Sequence, residues 1–128
     1  MLVAALAEWH PGHDESRAAL AGVDVIIAHV IVETYSVLTR LPAPHRIAPR
    51  DAAAVVGVLP WDVVRLPPSE HTALVAGAGR LAISGGAVYD ALIAFTAKNH
   101  GLTVLTRDRR SRRTYDLIGA GVRVLGDG

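Results

Sequence analysis

The sequence contains no cysteine, and this absence excludes several kinds of chemistry. A disulfide framework, a thiolate nucleophile and a cysteine-ligated zinc site are all ruled out, and an intracellular location becomes the default. Long apolar runs are also missing, since no stretch reaches the roughly 18 unbroken apolar residues of a membrane span. The apolar start at residues 1–7 lacks the basic region of a signal peptide. We therefore expect a cytoplasmic protein with no membrane partner.

Aromatic residues are scarce, at 5% of the chain, although 51% of the residues are hydrophobic and 20% are charged. This composition is typical of a globular protein whose core is built from Ala and Val on helices and strands. A length of 128 residues fits one domain, which we place over residues 1–128. Trp9 and Trp61 are expected in the core or at a dimer interface rather than as platforms for stacked bases.

The charge is unevenly distributed, although the net charge is only +1. Residues 1–97 carry six Lys/Arg and nine Asp/Glu, a net charge of −3, whereas residues 98–128 carry seven and three, a net charge of +4. Such a local excess of arginine favours a polyanionic partner such as RNA, and the alternative is a solvated basic face. Five arginines form the cluster: Arg107, Arg109, Arg110, Arg112 and Arg113.

Short β-branched runs alternate with helical patterns along the chain. The predicted strands cover residues 23–28, 63–66, 102–106 and 122–125, and the predicted helices cover 29–40, 50–59, 69–82, 87–100 and 111–118. Strands separated by helices imply crossover connections and a parallel sheet. The predicted fold is a three-layer α/β/α domain with a central parallel sheet.

Asp90 is the one charged residue between Leu81 and Ala97, in LAISGGAVYDALIAFTA. A charge on an otherwise apolar helix is costly unless it is paired or bound to a metal. The small side chains of Ala94 and Ala97, at i+4 and i+7, leave space beside it. The alternative is a buried aspartate that accepts hydrogen bonds from a backbone amide or an arginine.

Glu33 and Asp108 each follow a predicted strand. Glu33 is the one acidic residue in VIIAHVIVETYSVLT, about one turn into the helix that follows a strand, and Asp108 comes directly after the strand LTVLT. Taken singly, Glu33 fits a solvent-facing helix residue and Asp108 fits a helix N-cap. Because parallel strands bring their carboxyl ends to one edge, the three acids could converge there. Such an oxygen cluster suits Mg²⁺ or Mn²⁺, which activates water in phosphodiester hydrolysis.

These motifs resemble the PIN-domain ribonucleases, in particular the VapC toxins of bacterial type II toxin–antitoxin modules. The matching segments are "VETYSVLTRLP", "GGAVYDALIAFTAKNHG" and "LTVLTRDRRS", while "LVAALAEWHPGH" is similar to the family's first helix and turn. The resemblance implies an endoribonuclease toxin with Glu33, Asp90 and Asp108 as ligands of Mg²⁺ or Mn²⁺. It also implies that Thr106 positions Asp108 or a water. A cognate antitoxin that blocks the site and a homodimer are the implied partners, and the arginine cluster would guide RNA.

One feature of the family is absent from the sequence. The family's first strand, with an acid of its own, would precede Met1, and it would be central in the sheet. Three explanations fit: an upstream start that supplies the strand, which we favour; a shortened, weakly active chain; or a neighbouring chain that completes the sheet. The rival functions are an inactive module that binds antitoxin or RNA and, less well supported by the arginine cluster, an α/β phosphatase or regulator.

Overall fold

A computed structural model describes residues 1–126 of the chain. Contacts between Cα atoms divide it into two compact units, an N-terminal unit of Leu2–Val63 and a C-terminal unit that holds Met1 and the chain from Val64 onward. Each is described by itself below. The prediction of one domain over residues 1–128 stays a prediction, and its last two residues lie outside the described part.

The N-terminal unit is mainly helical. Its elements are α1 (Leu2–Leu6), α2 (His13–Leu20), β1 (Val25–Ile27), α3 (Ala28–Arg40), α4 (Pro49–Gly57) and the first part of β2 (Asp62–Val64). Helix α3 ends just before Leu41-Pro42, because a proline disfavours the helical conformation of the residue ahead of it. Helix α4 begins with Pro49 in its first turn, where the missing N–H has no intrahelical partner to lose. The buried Leu38 of α3, 1% exposed, marks the core of this unit.

The C-terminal unit consists of three α-helices and a pair of strands. After a 3-10 turn (Pro68–Glu70), its elements are α5 (His71–Arg80), α6 (Ala87–Asn99), β3 (Val104–Thr106), α7 (Arg112–Ile118) and β4 (Val122–Val124). On α6, Ala91, Ala94 and Ala97 are at most 1% exposed and occur every third residue, so they form one buried stripe.

The strands form two pairs rather than one sheet: β1 pairs with β2, and β3 pairs with β4. The second pair is parallel, with Val104 opposite Val122 and Thr106 opposite Val124. Each strand has three residues, and within residues 1–126 no fifth strand extends either pair. The predicted α/β class with parallel strands is therefore confirmed, whereas the predicted central sheet is here two short ladders.

No helix in residues 1–126 combines the length and the apolar character needed to cross a bilayer. The longest, α3 and α6, have 13 residues each, whereas a span takes about 20.

Candidate active site

The turn after β3 holds Asp108 in a network of local hydrogen bonds. Its Oδ1 accepts the Arg110 N–H at 2.9 Å, and its Oδ2 accepts the Ser111 hydroxyl at 3.0 Å. The Asp108 N–H donates to the hydroxyl of Thr106 at 3.1 Å. Thr106 and Ser111 are both buried, so two fixed hydroxyls orient the turn. The carboxylate thus has one defined position between β3 and α7.

The same contacts set the electrostatics of Asp108. Burial raises the pKa of its carboxyl, but the hydrogen bonds from the Arg110 amide and the Ser111 hydroxyl and the charge of Arg110 outweigh burial, so the pKa lies below its ordinary value of 3.8. The Arg110 Nε is 3.5 Å from Oδ1, and the Asp108 side chain is 48% exposed. Asp108 is therefore an anion at neutral pH, open to solvent on one side.

The alternative that Asp108 is the N-cap of the following helix is wrong, because the N-cap position of α7 is Ser111. The residue that precedes α7 is Ser111, which makes no side-chain capping hydrogen bond to the helix. Asp108 instead bonds the Arg110 amide and the Ser111 hydroxyl ahead of the helix. The aspartate thus stabilises the turn and still presents an exposed carboxylate, so a structural role and a functional role are compatible.

Asp90 lies in the first turn of α6, where a negative charge interacts favourably with the helix dipole. It is partly buried, and the stripe of Ala91, Ala94 and Ala97 follows it on the same helix. Ala94 and Ala97, the small residues predicted to leave space beside this carboxylate, are both buried.

Glu33 is exposed on α3 of the N-terminal unit. Its Oε2 lies 3.0 Å from Nε2 of His29, one turn earlier on the helix, and the two side chains are 47% and 24% exposed respectively. His29 was not predicted as a partner of Glu33, although side chains at i and i+4 on a helix lie next to each other. Ser111 was also not predicted as a partner of Asp108. The feature that could have indicated it is its position three residues after Asp108.

The predicted metal ligands are divided between the two units: Glu33 belongs to the first, and Asp90 and Asp108 belong to the second. Among residues 1–126, no three His, Cys, Asp or Glu side chains come together in a group that could hold a metal ion. The ligand assignment stays a prediction from the sequence.

The arginine cluster has two parts. Arg109 donates from Nη2 to the carbonyl of Gly126 at 2.8 Å, and the guanidinium of Arg107 lies against the same glycine. Gly126 has a φ of 65°, and a Cβ there would approach Arg107 Nη2 to 2.8 Å. By contrast, the Arg110 side chain is 95% exposed, and Arg113 is also exposed. Arg110 and Arg113 are therefore the arginines of the cluster most open to a polyanion.

Arg112 lies between these extremes. Its Nε is 3.7 Å from Oδ2 of Asp116, one turn later on α7, and both side chains are more than half exposed. An exposed pair of this kind contributes little to stability, so Arg112 can exchange its partner readily.

Comparison with known proteins identifies relatives over almost the whole chain. The PIN domain family model matches residues 1–117. The chain is 42% identical over 126 residues to the protein named Ribonuclease VapC40 in two strains of Mycobacterium tuberculosis, covering 98% of this chain and 94% of the relative. It is 41% identical over 119 residues to Ribonuclease VapC27 of Mycobacterium tuberculosis H37Rv, covering 93% and 80%. No solved structure gives a significant match.

Proposed function

This chain belongs to the PIN domain family, and we propose that it is a VapC-type endoribonuclease, the toxin of a type II toxin–antitoxin module. The observation that carries the proposal is the 42% identity over 98% of the chain to a protein named as a ribonuclease of this type. The reaction proposed is hydrolysis of RNA phosphodiester bonds.

The residues of the C-terminal unit have roles that their chemistry supports. Asp108 is kept ionised by its lowered pKa and is oriented by Thr106 and Ser111. The exposed guanidinium groups of Arg110 and Arg113 can meet the RNA backbone through charge. RNA would thus be held next to an oriented carboxylate.

Dependence on Mg²⁺ or Mn²⁺ is a further part of the proposal, with Glu33, Asp90 and Asp108 as ligands. The sequence pattern and the family membership support it. The described residues hold no group of three such ligands, and for this reason the metal requirement needs a direct test.

The test is cleavage of a mixed RNA pool by the purified chain with Mg²⁺ or Mn²⁺, with EDTA, and as the Asp90→Asn variant. We expect cleavage that is lost with EDTA and in the variant. Asp62→Asn, which changes an exposed acid outside the proposed site, is the matched control and should cleave normally. Cleavage that survives both EDTA and Asp90→Asn would exclude the proposed mechanism.

A second candidate is a module that binds antitoxin or RNA without cutting it. The exposed guanidinium groups of Arg110 and Arg113 are compatible with such a module, because they need no metal to contact RNA. Titration of Mn²⁺ by calorimetry separates the two candidates, because a binding module gives no saturable heat whereas the ribonuclease gives heat that Asp90→Asn reduces.

A cognate antitoxin, a homodimer and a cytoplasmic location complete the proposal. The VapC names of the relatives support the antitoxin, and an RNA substrate fits the cytoplasm. Co-expression with the product of an adjacent gene and light scattering of the purified chain test the first two: a stable complex and a dimer mass are the expected results.

A further inference from the structure

The rings of Trp9 and His45 form a stacked pair in the N-terminal unit. Their centroids are 4.0 Å apart, and their planes differ by 19°. His10 adds a tilted ring 5.8 Å from Trp9. Trp9 was predicted to be a core or interface residue, yet it is 46% exposed, so its placement in the core is wrong. The indole thus stacks on an imidazole while nearly half of its surface remains exposed to solvent.

An open cavity of about 410 Å³ adjoins this pair. Its apolar wall includes Leu38, Leu41 and Ile47, and Trp9 and His45 form part of its lining. The volume lies in the range of small-molecule sites, which is about 300–1,000 Å³. A flat heterocycle can therefore stack on the indole and cover apolar wall at the same time.

The loop that carries His45 contains Arg46, and the helices on either side of it add one arginine each. Residues 40–50 include Arg40, Arg46 and Arg50 and no acidic residue. The Nε of Arg46 donates to the carbonyl of Leu41 at 2.9 Å, which holds this guanidinium beside the cavity that it lines. Glu8 is the one acid among the lining residues. An exposed aromatic ring next to a run of cations is the combination that binds single-stranded nucleic acid.

We propose that Trp9 and His45 are an accessory site for one unpaired base of the RNA, and that Arg46 contacts an adjacent phosphate. The site rests on the proposed ribonuclease function, since it supplies a substrate contact in addition to those of the proposed active site. An apolar protein partner would use the cavity wall alone, whereas a nucleotide uses the stacked ring, the wall and the arginines together. The observations therefore favour RNA.

The test uses the intrinsic fluorescence of Trp9. The double variant Trp61→Phe and Asp90→Asn leaves Trp9 as the sole tryptophan and removes a proposed catalytic carboxylate, so the RNA stays intact. Titration with a short oligoadenylate should quench the emission saturably. An abasic ribose-phosphate strand of equal length should bind more weakly and quench little, because it has no ring to stack.

Affinity is then compared by anisotropy of a labelled oligoadenylate. We expect Trp9→Ala to weaken binding about 5- to 100-fold. Trp9→Phe keeps an aromatic ring and should weaken binding less, which separates loss of stacking from loss of the fold. Arg46→Ala should lower affinity and reduce the salt slope by about 0.7. Arg17→Ala, an exposed arginine on α2 that does not line this cavity, is the matched control and should bind as the parent does.

The outcomes separate this site from the proposed function. If Trp9 emission is unchanged while the native chain cleaves RNA, the base site is wrong and the ribonuclease stands. If Trp9 is quenched and the native chain cuts no RNA under any metal condition, the site stands and the ribonuclease fails. Equal quenching by the abasic strand, or a response to a leucine-rich amphipathic peptide but not to RNA, would also overturn the base site.

Discussion

At the scale of one residue, Asp108 is a charged side chain whose orientation is set by hydrogen bonds within its own turn. Its two carboxylate oxygens accept from Arg110 and Ser111, and its own amide donates to Thr106. All three partners lie within three residues along the chain, so the arrangement is local. A carboxylate oriented by its neighbours is ready for a ligand without further ordering, which lowers the entropic cost of binding.

The lowered pKa of Asp108 predicts a pH dependence of stability. Because its folded-state pKa lies below 3.8, the ionised carboxylate adds stability above that pH, and this contribution is lost as the pH falls through the folded-state pKa. The free energy of unfolding of the native chain should exceed that of Asp108→Asn by a constant amount above about pH 5, and the difference should shrink in acid. The effect is small because the side chain is about half exposed.

Urea unfolding of both proteins at a series of pH values measures this difference. A difference for Asp108→Asn that stays constant into strong acid would contradict the assigned pKa direction.

Ser111 is predicted to position Asp108. Ser111→Ala removes the hydroxyl that donates to Oδ2 from a buried site, so the free energy of unfolding should fall by about 1–2 kcal/mol and RNA cleavage should decrease. Ser111→Thr keeps the hydroxyl and should restore part of the cleavage. Ser69→Ala, at an exposed position, is the control for loss of a serine, and cleavage by Ser111→Ala at the native rate would refute the positioning role.

At the scale of an element, α7 shows how a helix is stopped. Gly119 follows its last residue with a φ of 84°, in the left-handed region, and its amide bonds to the carbonyls of Tyr115 and Asp116. Lys98 of α6 donates to the carbonyl of Ile118 at 3.3 Å. Gly119 and Lys98 thus provide hydrogen bonds to the last carbonyl groups of α7. The turn then leads into β4.

Two glycine substitutions should have opposite effects. Gly119→Ala places a Cβ in the left-handed region and should lower the free energy of unfolding by about 1 kcal/mol. Gly79→Ala, in α5 with no atom within 4 Å of the new Cβ, should raise it by about 0.5–1 kcal/mol. Thermal and urea unfolding measure both, and destabilisation by Gly79→Ala would show that the helical context of α5 has been misjudged.

At the scale of the whole molecule, charge is segregated along the chain. The first 97 residues have a net charge of −3 and the remaining 31 a net charge of +4. The C-terminal unit thus carries the cations proposed to attract RNA as well as two of the three predicted ligands, Asp90 and Asp108. This placement brings substrate attraction and the proposed chemistry into one compact unit.

Removal of two exposed cations should change the salt dependence of RNA binding. Arg110→Ala with Arg113→Ala should weaken binding and reduce the slope of log affinity against log salt by about 1.4, since each lost contact to single-stranded RNA removes about 0.7. Arg17→Ala with Arg80→Ala changes the net charge equally at exposed positions outside the cluster, and its slope should remain near that of the parent. Equal slopes for both double variants would mean that net charge, not the cluster, attracts RNA.

The sequence by itself determined the α/β class, the family and the approximate bounds of the elements from β1 onward, whereas helix α2 (His13–Leu20) was not predicted. Helix α6 was predicted over residues 87–100 and covers Ala87–Asn99. Such features could be predicted because helix periodicity, proline and glycine signals act over a few neighbouring residues. The bond between Thr106 and Asp108 follows from the same kind of local proximity, and the resemblance had already pointed to it.

Only the tertiary structure decided which distant groups meet. Trp9 and His45 are 36 positions apart in the sequence and stack because the loop after α3 packs against the turn after α1. The division of the strands into two pairs is likewise a result of tertiary packing. Contacts of this range depend on how whole elements pack, and the free energy that selects one packing is a sum over many residues, so no single motif records it.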